Sequence, residues 1–277
     1  MEFVLCNFVK IMGKQLAERV INENILVHAL ENREYLNRHP EQTNFYQYAH
    51  LTKTINKAIT LLPDNQCKIL DLGCGTGYLL LEFLRRGFEV TGIDLSQEMI
   101  TALKEKIPDN LKSKTNLLKC TASDYLKQKK ECFSLISMSA FLHHLFDYEN
   151  LIKAACSALR QGGVLLIFFE PLKQPVKNNA RYLFHKLLKK MDEKFYRLSM
   201  TFQGISIPDE KYAVSDFQRR FGGIDVKNVC RLLNSEGLQV INNYKYCARR
   251  YGIPSFIGTK IIKSNNSFDV IALKAMM

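Results

Sequence analysis

The amino-acid sequence predicts an α/β protein built around a doubly wound, mostly parallel β-sheet. Three observations support this fold class. Short apolar runs alternate with helix-like stretches between residues 68 and 170, a glycine-rich turn follows the first run, and two more strand-like runs come near the end of the chain. Strands that alternate with helices at this spacing form βα units, whose strands are parallel and are covered by helices on both faces.

The alternating region provides five strands and the helices between them. The strands are predicted at 68–72, 89–93, 117–121, 134–138 and 164–169. The helices are predicted at 78–86, 97–106, 125–128 and 148–159. The fifth strand, 164–169, contains no polar residue, as expected of a strand buried on both faces. This apolar run is far shorter than the roughly 20 residues needed to cross a bilayer.

Helical segments are predicted before the alternating region. Hydrophobic residues recur at helical spacing within 8–62, and Pro63 ends the last of these helices. We therefore predict a helical N-terminal cap at 1–62, followed by the main domain at 63–277.

The alternation breaks down after the fifth strand. Residues 171–223 contain an amphipathic helix at 180–198, whose apolar stripe faces one way and whose lysines crowd the other side. We predict that this inserted segment is a lid over the substrate, with Tyr182, His185, Tyr196 and Phe202 as its aromatic residues. A helix at 225–235 and strands at 238–246 and 267–273 complete the domain.

Charge is distributed unevenly along the chain. Residues 1–170 carry 20 Lys and Arg against 19 Asp and Glu, a net charge of +1, whereas residues 171–277 carry 19 against 8, a net charge of +11. The positive charge of residues 171–277 has four possible explanations: a solvated surface, an anionic acceptor, a lipid surface or RNA. The eight cysteines form no C-x-x-C pair, and the first residues lack the features of a secretory signal. We expect reduced thiols and a cytoplasmic location.

The glycine-rich turn at 71–77 is the most informative motif. It reads Asp-Leu-Gly-Cys-Gly-Thr-Gly and lies between a strand and a helix, where open α/β sheets bind ligands. The dinucleotide fingerprint G-x-G-x-x-G requires a third glycine at position 78 or 80, but Tyr78 and Leu80 stand there. No Gly-Lys-Ser/Thr follows, which excludes a P-loop.

This motif resembles the first motif of class I S-adenosylmethionine (SAM) methyltransferases. Asp94 follows the second strand, as an acid that binds the ribose hydroxyls does in that family, and Gly162-Gly163 precedes the fifth strand. The resemblance implies a Rossmann-like sheet of seven strands, with an antiparallel last strand, and SAM as cofactor without a metal. It also implies a cofactor site made of Asp71, Gly73, Cys74, Gly75, Gly77, Asp94, Leu95, Met99, Ser123, Asp124, Tyr125, Ser139 and Tyr46.

Candidate catalytic residues follow the fourth strand. The sequence His143-His144-Leu145 resembles an element of the small-molecule branch of the family. Histidine has a near-neutral pKa and can act as a base, and we favour His144 over His143 because adjacent side chains point apart.

The family's fourth strand commonly begins Phe-Asp, whereas this chain has Phe133-Ser134. Tyr46, Tyr48 and His50 are predicted to lie on a helix that closes over the cofactor.

Two classes of methyl acceptor stay open. A small-molecule or lipid-like acceptor, possibly anionic and methylated at O, N or C, is favoured by the His-His-Leu element and the inserted segment. The alternative is methylation of RNA or protein, or association with RNA or an anionic membrane, through the basic C-terminal half. No Asn/Asp-Pro-Pro-Tyr/Phe or Pro-Cys motif follows the fourth strand, which disfavours amino-directed adenine or glutamine methylation and cytosine-5 methylation. The oligomeric state is not predicted.

Overall fold

Seven strands form one sheet in the computed structural model, which describes residues 13, 15–27, 39–63, 67–173, 180–204 and 215–276. The strands are β1 Lys68–Leu72, β2 Glu89–Asp94, β3 Thr115–Lys119, β4 Phe133–Ser139, β5 Leu159–Pro171, β6 Leu238–Tyr246 and β7 Ser267–Lys274. Their order across the sheet is β3-β2-β1-β4-β5-β7-β6. The first five strands are parallel, and β7 runs antiparallel to both of its neighbours. The predicted fold class is confirmed.

Eleven helices are assigned within the described residues. They are α1 at 15–27, α2 Pro40–Thr43, α3 Phe45–Ile59, α4 Leu80–Arg85, α5 Gln97–Lys106, α6 Ala122–Leu126, α7 Tyr148–Ala158, α8 Ala180–Gln203, α9 Phe217–Arg220, α10 Val226–Ser235 and α11 Gly252–Ile257. Short turns of 3₁₀-helix cover Asp109–Lys114 and Leu142–His144, and a π-helical turn covers Gly258–Ile262. Parts of the predicted cap and lid, and the side chains of Tyr182 and His185, lie outside the described part of the chain.

Polar side chains at the N-termini set where several helices begin. Ser96 accepts a hydrogen bond from the backbone N–H of Met99 at the start of α5, and Thr121 accepts one from Asp124 at the start of α6. Such N-caps satisfy amide groups that have no partner inside the helix. Because Thr121 is the cap, α6 begins at Ala122, three residues before the predicted start.

The core lies on both faces of the sheet. On β5, Leu165 and Ile167 pack in one buried cluster with residues of α7 and α10. Val164 and Leu166, which alternate with them, pack in a second cluster with residues of α3, α4 and α5. Since successive side chains of a strand point to opposite faces, this alternation explains the absence of polar residues in the run.

A buried carboxylate fixes α3 to the antiparallel edge of the sheet. Asp269 on β7 is 0% exposed, and its Oδ2 lies 2.5 Å from Nε2 of His50 on α3. Its Oδ1 accepts hydrogen bonds from the Tyr246 hydroxyl at 2.9 Å and from the Phe169 backbone N–H at 3.0 Å. Burial raises the pKa of Asp269, while the bond from His50 opposes that rise. The carboxylate thus joins α3, β5, β6 and β7.

Candidate functional site

A tight loop at the carboxyl end of β1 carries the three glycines of the motif. Gly73, Gly75 and Gly77 all have positive φ, at 68°, 49° and 94°. A Cβ at Gly73 would lie 2.3 Å from the Phe141 ring, and a Cβ at Gly77 would lie 2.4 Å from a methyl group of Leu103. Both the backbone conformation and the close neighbours therefore require glycine at these two positions.

Asp94 holds this loop against the end of β2. Its Oδ2 accepts a hydrogen bond from the Gly75 backbone N–H at 2.9 Å, and its Oδ1 accepts one from the Ser96 backbone N–H at 2.9 Å. The backbone N–H groups of Gly73 and Cys74 donate to the Ile93 carbonyl. The carboxylate is thereby fixed in orientation, and each oxygen still has lone-pair capacity for a ligand.

Asp71 lies beneath the loop rather than at its surface. It is 2% exposed, and the Ser137 hydroxyl donates a hydrogen bond of 2.6 Å to its Oδ1. Burial raises the pKa of Asp71 to about 7, although the bond from Ser137 opposes the rise. This carboxyl group supports the loop and does not line the cavity described next.

A cavity of about 270 Å³ opens beside the glycine loop. Nine of the predicted site residues line it: Gly73, Cys74, Gly75, Asp94, Leu95, Met99, Ser123, Ser139 and His144. Six others do not: Asp71, Gly77, Asp124, Tyr125, Tyr46 and His143. Besides the polar loop, the wall includes seven large apolar side chains: Val20, Ile21, Ile25, Phe141, Leu145, Phe146 and Leu151.

The predicted residues outside the cavity have other contacts. Asp124 accepts hydrogen bonds from its neighbours Thr121 and Lys127 on the surface of α6. The Tyr125 ring packs toward the core, 6.3 Å from the ring of Phe133. Tyr46 meets the Phe256 ring edge-on at 6.1 Å. Tyr48 and His50 lie on the same helix as Tyr46, α3. Tyr48 is 52% exposed, and His50 binds Asp269.

Helix α1 supplies part of the cavity wall that the sequence analysis did not assign. Asn24 on this helix is 7% exposed, and its Nδ2 donates to the carbonyls of Val20 at 2.8 Å and His144 at 3.3 Å. Its Oδ1 is buried without a hydrogen-bond partner, as is Oγ of Ser139. The sequence held one indication of a role for Asn24: it is a polar residue among the apolar positions of the helix predicted within 8–62. These two atoms are ready to bind a polar ligand.

Two histidines and two carboxylates form a cluster, of which His144 is part of the cavity wall. Nδ1 of His144 lies 2.8 Å from the Ser215 carbonyl oxygen and 3.4 Å from Oδ1 of Asp216. Nδ1 of His143 lies 2.9 Å from Oε2 of Glu170, and the two imidazole rings are 4.0 Å apart. The sequence pointed to the histidines but to neither carboxylate, because Glu170 and Asp216 are distant from them in the chain and meet them only in the folded structure.

Glu170 shapes the turn that carries both histidines. It is 0% exposed and accepts hydrogen bonds from the backbone N–H groups of Phe141, Leu142 and His143, at 2.7, 2.8 and 3.2 Å. Burial raises the pKa of Glu170 to about 7, and these backbone bonds oppose that rise. Burial, followed by the proximity of His143, lowers the pKa of His144 to about 4. His144 is therefore a neutral imidazole at neutral pH.

The same cluster has the composition of a metal site. Among the described residues, His143, His144 and Asp216 form the group whose possible ligand atoms all lie within 4.8 Å of one another. Nδ1 of His144, however, is already within hydrogen-bond distance of the Ser215 carbonyl. A metal at this nitrogen would replace that bond.

Residues 69–163 match a family model described as a methyltransferase domain. The ubiquinone biosynthesis O-methyltransferase of Hydrogenovibrio crunogenus is 31% identical over 116 residues, which cover 42% of this chain and 47% of that protein. The mitochondrial ubiquinone biosynthesis O-methyltransferase of Homo sapiens is 33% identical over 120 residues, 43% of this chain and 32% of that protein. The chain thus spans about half the length, or less, of these relatives.

Two solved structures show the same fold. A magnesium protoporphyrin IX methyltransferase from Synechocystis, with bound S-adenosylhomocysteine (SAH), is 16% identical with a TM-score of 0.53, and the match covers 91% of this chain and all of that chain. The [4+2]-cyclase SpnF is 15% identical with a TM-score of 0.55, and the match covers 83% of each chain. Since one of these neighbours is named a cyclase, the likeness defines the architecture and leaves the reaction to the site.

Proposed function

Because this chain carries a class I SAM-dependent methyltransferase domain at residues 69–163, we propose that it transfers the methyl group of SAM to an oxygen of a small, lipid-like acceptor. The observation that carries the proposal is the cavity, whose wall combines the glycine loop and Asp94 with apolar side chains and with His144. The partial similarity to ubiquinone biosynthesis O-methyltransferases supports oxygen as the methylated atom. The apolar side chains of the wall favour a lipid-like molecule over RNA or a protein side chain.

The glycine loop and the polar residues of the cavity wall fit the cofactor. The glycine loop lets a ligand approach the backbone, Asp94 offers carboxylate oxygens for the two ribose hydroxyls, and Ser139 and Asn24 offer polar atoms that lack partners. When bound, SAM supplies a methyl group on a positively charged sulfur, an electrophile that needs no further activation. The chain must orient the acceptor, exclude water and accept a proton from a hydroxyl acceptor.

His144 is positioned to accept that proton. When Nδ1 carries the proton shared with the Ser215 carbonyl, Nε2 is the basic nitrogen of the ring. Asp216, with Oδ1 at 3.4 Å, supplies a negative charge that stabilises the imidazolium formed by proton transfer. His143 is buried against Glu170 and does not line the cavity, so we assign it a positioning role.

Replacing His144 by alanine is expected to lower kcat by about 10²–10⁴-fold, the range for loss of a positioned base. The affinity for SAH, measured by titration calorimetry, should stay within a few-fold of the parent. The assay is transfer of labelled methyl from SAM to a panel of hydroxylated aromatic lipids. Asp109→Ala is the control, because Asp109 is exposed and does not line the cavity.

The pH profile gives a second readout of His144. A base must be deprotonated to act, and a pKa of about 4 keeps His144 deprotonated down to about pH 5. Protonation of His144 should therefore cost no activity between pH 7 and about 5, where a histidine with an ordinary pKa loses it. A loss in this range that His144→Ala shares belongs to a carboxyl group such as Glu170, whose pKa is about 7. Full turnover by His144→Ala on every accepted lipid would remove His144 from catalysis.

We further propose that the reaction needs no metal. Proton acceptance by His144 depends on its bond to the Ser215 carbonyl, which a metal at Nδ1 would displace. Methyl transfer should therefore be unchanged after dialysis against EDTA and after addition of Mg²⁺ or Zn²⁺. Loss of activity in EDTA that Mg²⁺ restores would reverse this assignment and make His143, His144 and Asp216 the first ligands to test.

A further inference from the structure

Helix α8 presents a continuous apolar stripe to solvent. The residues of the stripe are all between 49% and 84% exposed: Leu183 at 69%, Leu187 at 53%, Met191 at 49%, Phe195 at 57%, Leu198 at 54% and Phe202 at 84%. Their spacing of four and three residues places them on one face of the helix. A row of six large apolar side chains in water is unfavourable and marks a surface that binds a partner.

The helix packs on the protein through its other side. Tyr196 and Met200 are buried, at 6% and 3% exposed. The Arg250 guanidinium lies over the Tyr196 ring, 3.9 Å from its centroid, and binds Oε2 of Glu193 at 2.8 Å. At about 100° per residue, positions 196 and 200 lie roughly opposite the centre of the stripe. The stripe therefore points away from the body of the protein.

The stripe does not serve the cavity. No described residue of α8 is part of the cavity wall, which is completed by α1 instead. The helix that the sequence predicted as a substrate lid thus has its apolar face in solvent. Another function must account for that face.

Positive charge follows the stripe along one edge. Lys186, Lys190 and Lys194 are exposed and recur every four residues beside the apolar positions. Arg197 continues this row, and its Nε forms an ion pair with Oε1 of Glu193 at 3.0 Å. They belong to the half of the chain with a net charge of +11 (19 Lys and Arg less 8 Asp and Glu). An apolar face bordered by lysine and arginine is the pattern of a helix that lies in the interface of an anionic membrane.

We propose that α8 docks this protein on the surface of an anionic lipid bilayer, with the apolar stripe between the headgroups and the basic edge against lipid phosphates. The helix has 24 residues and a length of about 36 Å, enough for a long contact parallel to the surface. Within the described residues, no helix is both long enough and apolar enough to cross a membrane. The contact is therefore peripheral. It does not depend on methyl transfer.

Two other partners of the stripe, a second copy of this chain and RNA, fit its side chains less well. A second copy of this chain would bring two basic edges together, and their repulsion opposes pairing through this face. RNA would satisfy the lysines but leave the six apolar side chains in water. An anionic bilayer satisfies both sets of side chains at once.

The test measures binding of the full chain to vesicles of phosphatidylcholine alone and of phosphatidylcholine with 30% phosphatidylglycerol, by co-sedimentation. Saturable binding to the anionic vesicles is expected, with weaker binding to neutral ones. The double variant Leu187→Glu/Phe195→Glu should bind at least about tenfold more weakly, because two apolar anchors are lost. Ile261→Glu/Met276→Glu is the matched control, since it adds the same two charges at positions that are 68% and 82% exposed and outside α8.

A second pair of variants tests the basic edge. Lys190→Ala/Lys194→Ala should lower anionic-vesicle binding by about 25-fold at low salt, at roughly fivefold for each charge near the surface. Lys104→Ala/Lys112→Ala makes the same charge change elsewhere and should have little effect. SAH affinity should be unchanged in all four variants, which separates a failure of docking from a failure of the cofactor site.

Three results would overturn the proposal. The first is no binding to anionic vesicles, or binding that Leu187→Glu/Phe195→Glu leaves intact. The second is a dimer of the parent, by analytical ultracentrifugation, that this double variant dissociates. The third is saturable tRNA binding that depends on Lys190 and Lys194 while vesicle binding does not.

Discussion

Replacing Asp94 by alanine is expected to weaken SAH binding by at least about 100-fold. The proposed contacts to the ribose hydroxyls are charge-assisted hydrogen bonds, each contributing about 1.5–3 kcal/mol. The variant also loses the bonds from the backbone N–H groups of Gly75 and Ser96, so the glycine loop is no longer held against β2. Titration calorimetry with SAH measures the effect directly.

Two further variants separate the charge of Asp94 from its shape. Asp94→Asn keeps the size of the side chain and one oxygen acceptor, so its SAH affinity should fall between those of the parent and the alanine variant. Asp109→Ala removes an exposed acid outside the cavity and should bind SAH normally. An Asp94→Ala variant that is folded and binds SAH with parental affinity would remove the cofactor assignment.

Replacing Asp269 by alanine is expected to lower the free energy of unfolding by about 3–5 kcal/mol, because three largely buried groups lose their carboxylate partner at a cost of about 1–3 kcal/mol each. His50, the Tyr246 hydroxyl and the Phe169 backbone N–H all lose the carboxylate as their partner. The corresponding fall in Tm is roughly 10 °C for a chain of this size. Urea denaturation followed by circular dichroism measures the change.

The conservative variant shows whether hydrogen bonding or packing dominates at this position. Asp269→Asn retains an oxygen acceptor and the side-chain volume, so it should lose less stability than the alanine variant. Because Asp269 does not line the cavity, the folded alanine variant should still bind SAH at low temperature. A loss below about 1 kcal/mol in Asp269→Ala would mean that the contact with His50 contributes little.

The sequence predicted the sheet and the glycine loop at the end of β1. Its apolar runs identified the seven strands, and parallel neighbouring strands bring their carboxyl ends to one edge of the sheet. This is why Gly75 and Asp94, 19 residues apart, were expected together and are joined by a hydrogen bond. The boundaries were less accurate, because caps such as Thr121 and the positive φ of Gly77 decide where helices begin.

What the sequence determined by itself was therefore the fold class, the glycine loop and the pair of adjacent histidines, of which His144 lines the cavity. The tertiary structure alone decided which distant residues meet them. Asp216 reaches His144 across about 70 residues, Asn24 reaches its carbonyl across 120, and His50 meets Asp269 across 219. Tertiary structure also decided that the stripe of α8 faces water. Periodicity tells which side chains share a face of a helix, but only packing against the rest of the chain determines where that face points.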